Sequence, residues 1–171
     1  MTIILHPFFR RAIAALGGAV LAGLFSCLSV AVASTERLRH EVVVDPLTGV
    51  ALGGFDAVSY FTESSPLPGR GDFEVIWKDV PWYFANEANM EVFRKAPEVY
   101  APQFGGHGVM SLARGFFSDG NPQIYEVLDN RLFLFYSFSN RAAFELANKT
   151  ARLQALRNWA LLTGADDPLK Q

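Results

Sequence analysis

The sequence predicts an α+β fold, in which a small antiparallel sheet built from two hairpins packs with short helices and a long C-terminal helix. Three observations predict it. Large apolar residues occupy alternate positions over residues 73–77, which is the period of a strand. An Asp-Asn pair at 129–130 separates two apolar runs, which is typical of a tight hairpin turn. After residue 139 the apolar residues recur at helical spacing.

The first part of the domain is predicted to consist of turns and one short helix. Residues 34–49 are interpreted as a leader, in which a short β-branched run is stopped by Asp45-Pro46. Gly53-Gly54 marks a further turn. Asp56 is a candidate cap for a helix over 57–61, because its carboxylate can accept from the free N–H groups of a first turn.

The centre of the chain predicts the first hairpin and a second helix. A strand over 73–78 is followed by a turn at Asp79-Val80-Pro81, and residues 82–84 return the chain. Asn86 is a favourable N-cap for a helix over 87–96.

The last part predicts the second hairpin and the long helix. Strands at 124–128 and 131–136 flank the Asp-Asn pair. Ser139 is predicted to cap the helix, which runs to about residue 162 and ends at Gly164. Its apolar residues form a broad face that should lie across the sheet.

Length, charge and motif content limit the function. The chain has 171 residues, half of them hydrophobic, which is enough for one domain over 50–163 and a tail over 164–171. A net charge of −2 gives no basic surface for nucleic acid. The sequence contains no zinc-protease, phosphate-loop, dinucleotide-binding or serine-hydrolase motif, so we expect that it is not an enzyme.

Residues 1–33 are predicted to be a secretory signal peptide. A cationic pair, Arg10-Arg11, precedes a long apolar run that closes on Ala31-Val32-Ala33. Cleavage there predicts a periplasmic or secreted protein without cysteine, and therefore without a thiolate ligand. Two alternatives stay open: an uncleaved anchor in the inner membrane, and lipidation at Cys27. We expect membrane contact only through this segment.

Three segments, in this order, resemble the exported, single-domain bacterial branch of the YHS domain family. They are GGFDAVSYF (53–61), WKDVPWYFANEANMEVFRKAPEVYAPQFGG (77–106) and VLDNRLFLFYS (127–137). Related small domains occur in heavy-metal handling, especially of copper. The resemblance therefore implies a metal-related binding protein of the periplasm. This chain differs from that branch at one point. Exported members commonly follow the diglycine with an aromatic residue and a cysteine, whereas this chain has His107 and Gly108 there.

The segment FGGHG (104–108) supplies the candidate metal ligands. His107 and Met110 are three residues apart and would share a face if the chain were helical there. Imidazole and thioether together suit copper, and Asp56 could add an oxygen. The predicted metal site is therefore His107, Met110 and Asp56, with copper as the first candidate ion. The structural alternatives are a core role for Met110, a turn role for His107 and a cap role for Asp56.

The second functional hypothesis is a metal-free interaction module or a binding module for a small apolar ligand. Its partner would then be that ligand or a protein that the sequence does not identify. A large cavity lined by aromatic side chains would support this hypothesis. The candidate lining residues are Trp77, Trp82, Tyr83, Phe84, Tyr100 and Phe104.

Overall fold

The structure, a computed structural model, describes residues 41–165. The predicted signal peptide, residues 34–40 of the predicted leader and residues 166–171 of the predicted tail lie outside these residues. The described residues belong to one compact unit. Within 41–165, no helix combines the length and the apolar character that crossing a bilayer requires.

The first hairpin consists of β1 (Arg70–Trp77) and β2 (Val80–Phe84). Along its C-terminal half, β1 alternates half-buried and exposed side chains, which confirms the predicted period. The predicted turn at 79–81 is wrong by one residue. Lys78 and Asp79 have φ of 52° and 59°, so they form the two-residue turn, and Pro81 lies in β2. A proline is tolerated there because the sheet has only two strands.

The helices of the described region are mostly short. They are α1 (Ser59–Thr62), α2 (Glu87–Lys95), α3 (Pro97–Tyr100), α4 (Val109–Ala113) and α5 (Phe138–Thr163). Two 3-10 turns, Leu52–Gly54 and Gln103–Gly106, precede α1 and α4. The predicted cap of α2 is confirmed, because Oδ1 of Asn86 accepts from the backbone N–H of Asn89 at 2.9 Å.

The second hairpin consists of β3 (Asn121–Leu128) and β4 (Arg131–Phe135). Asp129 and Asn130 have φ of 53° and 55°, which confirms the predicted tight turn. Strand β4 is buried on both faces. Leu132 and Leu134 belong to a core cluster around Trp82, whereas its alternate residues Phe133 and Phe135 belong to a second cluster. The strand therefore separates two small cores.

Helix α5 closes the second core. Phe144 is fully buried and lies 5.2 Å from Phe135 between ring centroids. The helix begins after Ser137 rather than Ser139, because Ser137 is extended and its Oγ accepts from the N–H of Asn140. Ala147 has non-helical backbone angles and interrupts the helix. Gly164 ends it with φ of 69°, as predicted.

The α+β class is confirmed, with one difference in the strands. Within residues 41–165 the two hairpins form separate two-stranded sheets, so α5 packs on one hairpin and not across a joint sheet. Packing also begins before residue 50. Val42 is 4% exposed and belongs to the first core, although it lies in the predicted leader.

Candidate functional site

The diglycine turn has a backbone that side chains disfavour. Phe104, Gly105 and Gly106 have successive φ values of 57°, 62° and 93°, and only glycine adopts such angles readily. A Cβ on Gly105 would also overlap the carbonyl oxygen of Glu41. The turn therefore brings two distant parts of the chain into backbone contact.

The partner segment of this turn is residues 41–46, which we call the N-terminal strap. The N–H of Val43 donates to the carbonyl oxygen of Gly105 at 2.8 Å. On the other side of the turn, the N–H of Gly120 donates to the carbonyl oxygen of Gly106 at 3.0 Å. A Cβ on Gly120 would lie 2.5 Å from that oxygen and from Cβ of Leu134. Glycines thus permit three layers of backbone to meet here.

A cavity of about 170 Å³ lies between the strap and the diglycine turn. Its surface is mostly apolar, and two of its residues, Trp82 and Leu134, are only 1% and 2% exposed, so they form its inner wall. Most of the strap forms another wall. The lining residues are Val42, Val43, Val44, Asp45, Pro46, Leu52, Gly53, Trp82, Pro102, Gly105, Gly106, Asp119, Gly120, Pro122 and Leu134.

His107 leaves the turn in an extended conformation and its side chain is buried, with 4% exposed. Its ring packs against Phe117 and Trp159, with centroids 4.8 and 5.8 Å apart. Its Nδ1 lies 3.9 Å from Oδ1 of Asp119, whose side chain is 79% exposed. The backbones of His107 and Asp119 also form a β-bridge, so the histidine is held beside the rim of the cavity.

Met110 lies in α4 and packs partly buried against the second core. Helix α4 confirms that residues 109–113 are helical, but it begins only after Gly108, whose φ and ψ are −63° and 114°. His107 therefore precedes the helix, and the expectation that it shares a helical face with Met110 is wrong. The contacts of Met110 are those of a core residue.

Asp56 is fully buried and accepts four hydrogen bonds. Its Oδ1 accepts from the N–H groups of Val58 and Ser59 at 2.8 and 3.3 Å. Its Oδ2 accepts from the N–H of Ala85 at 2.9 Å and from Nδ2 of Asn89 at 2.7 Å. These bonds use the acceptor sites of a carboxylate, so Asp56 could bind a metal only by releasing some of them. The helix predicted over 57–61 begins at Ser59 and its N-cap is Val58, so Asp56 caps the turn before α1 and links this turn to β2 and α2.

Asp56 and His107, two of the three predicted metal ligands, take part in different contacts. Within 41–165, no group of three or more His, Cys, Asp or Glu side chains is placed to hold a metal ion. Asp56 is hydrogen-bonded to Ser59, Ala85 and Asn89. His107 lies beside Asp119 and packs against two aromatic rings. Copper binding has not been tested by these observations and stays a prediction.

The aromatic lining predicted for an apolar ligand is found at one position only. Trp82 lines the cavity, whereas Trp77 and Phe84 pack with Phe93 in the first core. Sequence reasoning missed the strap, Asp119 and Gly120. The glycine directly after Asp119 was the available signal of a close backbone contact. The contact is with Gly106, 14 positions away in the chain, so the sequence alone does not identify it.

No protein-family model, curated protein or solved structure matches the chain. The resemblance to the YHS domain family therefore stays a prediction from the sequence. The geometry of the cavity and of the diglycine turn carries the functional argument.

Proposed function

We propose that this chain is a binding protein for small apolar molecules, which it holds in the cavity between the strap and the diglycine turn. The observation that carries the proposal is the volume and lining of this cavity, about 170 Å³ and mostly apolar. A cavity of about 150 Å³ is enough for a benzene-sized molecule. A ligand with a single ring therefore fits, and the protein binds it without transforming it.

The walls of the cavity support this proposal because backbone hydrogen bonds within the chain hold them in place. Backbone hydrogen bonds join Val43 to Gly105 and Gly106 to Gly120, at 2.8 and 3.0 Å. At a preformed apolar site, little of the binding free energy is lost to ordering of the protein. In this proposal the chain is a YHS-like domain that acts after export to the periplasm.

The proposal is tested with benzyl alcohol, a neutral molecule with one ring. The protein is produced from the full-length chain and titrated with benzyl alcohol, and binding is followed by two-dimensional NMR. The signals to follow are the amides of the glycines that line the cavity, which are Gly53, Gly105, Gly106 and Gly120. For eight non-hydrogen atoms we expect a Kd of about 0.1–10 mM. Shifts should concentrate on these amides and spare those of α5.

A filled cavity provides the matched control. Val43→Phe adds a ring at a lining position outside the first core cluster, whereas Val99→Phe adds it at a site that is 49% exposed. We expect Val43→Phe to weaken binding at least tenfold and Val99→Phe to leave it unchanged, with both variants folded by circular dichroism. Equal binding by both variants, or no shift at the cavity glycines, would refute the proposal.

Copper binding is the second candidate function. The observation that favours it is the distance of 3.9 Å between Nδ1 of His107 and Oδ1 of Asp119, which places an imidazole nitrogen beside a carboxylate oxygen. Titration of the protein with Cu(I) and Cu(II) against a competing chelator tests it. Binding of one equivalent that is lost in His107→Ala and weakened in Met110→Leu would support a copper site. Equal weak binding by all three proteins would reject it.

A further inference from the structure

The charge of the cavity points to a narrower class of ligand. Two of its lining residues, Asp45 and Asp119, are acidic, and none of the lining residues within 41–165 is a lysine, arginine or histidine. The remaining lining residues are aliphatic, proline, glycine or tryptophan. All the charged residues that line the cavity are therefore negative, which favours binding of a cation and disfavours binding of an anion.

The Asp45 carboxylate is fixed in position by its own turn. Its Oδ1 accepts from the N–H of Leu47 at 3.0 Å, and from the N–H and Oγ1 of Thr48 at 2.9 and 3.0 Å. These hydrogen bonds, with that of the Thr48 N–H the strongest, lower the pKa of Asp45 below its ordinary value. The side chain is therefore ionised throughout the neutral pH range and contributes a fixed negative charge.

Asp119 is held by its backbone. It forms a β-bridge with His107, and the next residue, Gly120, donates to the carbonyl oxygen of Gly106. Its side chain is 79% exposed, which places the carboxylate at the rim where a ligand enters. A ligand whose ring occupies the apolar interior can thus keep a polar group beside Asp119 and in contact with water.

We infer that the cavity selects small primary amines that carry one ring, with the ring in the apolar interior and the ammonium group beside Asp119. This inference rests on the proposed function, since it assumes that the cavity takes a ligand. An exposed ion pair is worth about 0.2–1 kcal/mol, which corresponds to a preference of up to about fivefold for one carboxylate. With Asp45 adding a second negative charge, we expect a preference of about five- to tenfold over a neutral ligand of the same shape.

The test compares three probes of similar shape: benzylamine, benzyl alcohol and benzoate. Their affinities are measured by NMR titration of the cavity glycine amides at pH 8, where the amine is charged. We expect benzylamine to bind five- to tenfold tighter than benzyl alcohol, and benzoate to bind weakest. Raising the salt from 20 to 500 mM should reduce the preference, because the rim is exposed to solvent.

Two variants distinguish this inference from the proposed function. Asp119→Asn keeps the shape of the rim and should reduce the preference for benzylamine at least threefold. Asp72→Asn removes an exposed carboxylate that does not line the cavity and should leave the preference unchanged. If benzylamine and benzyl alcohol bind the wild type equally, the inference fails and the apolar binding function stands. If none of the probes shifts the cavity glycines, both fail.

Discussion

Nδ2 of Asn89 donates a 2.7 Å hydrogen bond to Oδ2 of Asp56, which joins α2 to the segment that precedes α1. The same oxygen accepts from the N–H of Ala85 at the end of β2. One buried carboxylate therefore fixes the relative positions of three elements of the first core. Asp56 therefore has a structural role. The sequence alone left two possibilities for it, a metal ligand and a helix cap.

Asp56→Asn should destabilise the protein strongly. The new amide can keep an oxygen toward Val58 and Ser59, but its NH₂ group then faces the donors of Ala85 and Asn89. Two donors without an acceptor in a buried site should lower the free energy of unfolding by about 3 kcal/mol, measured by urea denaturation. Asp72→Asn, at an exposed site, should change it by less than about 0.5 kcal/mol. A loss of under 1 kcal/mol for Asp56→Asn would contradict this role.

Gly105→Ala should detach the strap. Gly54 is the matched control, since its φ of 82° is also left-handed but an added Cβ would meet nothing within 4 Å. Gly54→Ala should therefore cost only the backbone strain, about 1 kcal/mol. Gly105→Ala adds the overlap with Glu41, so we expect at least about 2 kcal/mol more. Amide exchange at Val43, which donates to Gly105, should accelerate in Gly105→Ala alone. Equal costs for the two variants would show that the strap does not restrict residue 105.

Tyr60 should make the protein sensitive to base. Burial, with smaller contributions from Tyr125 and Asp56, raises the pKa of Tyr60 above its ordinary value of 10.0. The folded state therefore disfavours the phenolate, and this contribution to stability is complete below pH 10 and is lost as the pH rises above it. The loss should be about 1.4 kcal/mol per pH unit in urea denaturation series above pH 10.

Tyr60→Phe removes that dependence together with one hydrogen bond. At pH 7 it should cost about 1 kcal/mol, because the hydroxyl donates to the carbonyl oxygen of Pro122 at 2.9 Å. Above pH 10 its stability should fall less steeply than that of the wild type. Tyr136→Phe, at a side chain that is 66% exposed, should follow the wild type at every pH. Parallel curves for Tyr60→Phe and the wild type would exclude Tyr60 as the titrating group.

Asn158 should stabilise the end of α4 from the long helix. Its Nδ2 donates to the carbonyl oxygens of Leu112 and Ala113 at 2.8 and 3.2 Å, at the end of α4, where no further helical turn provides N–H donors for both carbonyls. Asn158→Ala should lower the free energy of unfolding by about 1–2 kcal/mol in thermal unfolding. Asn158→Asp should cost more, since a carboxylate would face two carbonyl oxygens. Gln154→Ala, on the exposed side of α5, should be nearly neutral.

The elements with local signals were predictable from the sequence. Asn86 caps its helix with its own side chain, and Gly164 ends α5 in the left-handed conformation that glycine favours. The Asp129-Asn130 turn likewise depends on two adjacent residues. In each case the residues that determine the structure lie within one turn of the chain, so their pattern can be recognised without knowledge of the fold.

The site depended on contacts between distant residues and was therefore harder to predict. His107 and Met110 are near in sequence, but Gly108 stays extended because its N–H donates to the carbonyl oxygen of Ser118 and it pairs with Leu134. The predicted leader included the strap, and only contacts with distant residues show that the strap belongs to the domain: Val43 bonds to Gly105, and Val42 is buried in the first core. Local patterns carry no information about such pairings.

The contact between Glu41 and Gly105 also bears on which related sequences share this arrangement. A chain with any side chain at the position of Gly105 cannot place its own equivalent of the strap where Glu41 lies. During divergence, loss of that glycine should therefore occur together with displacement of the strap. The cavity should open in the same lineages, because the strap forms one of its walls. In related chains, position 105 should therefore change together with residues 41–46 and independently of Gly54.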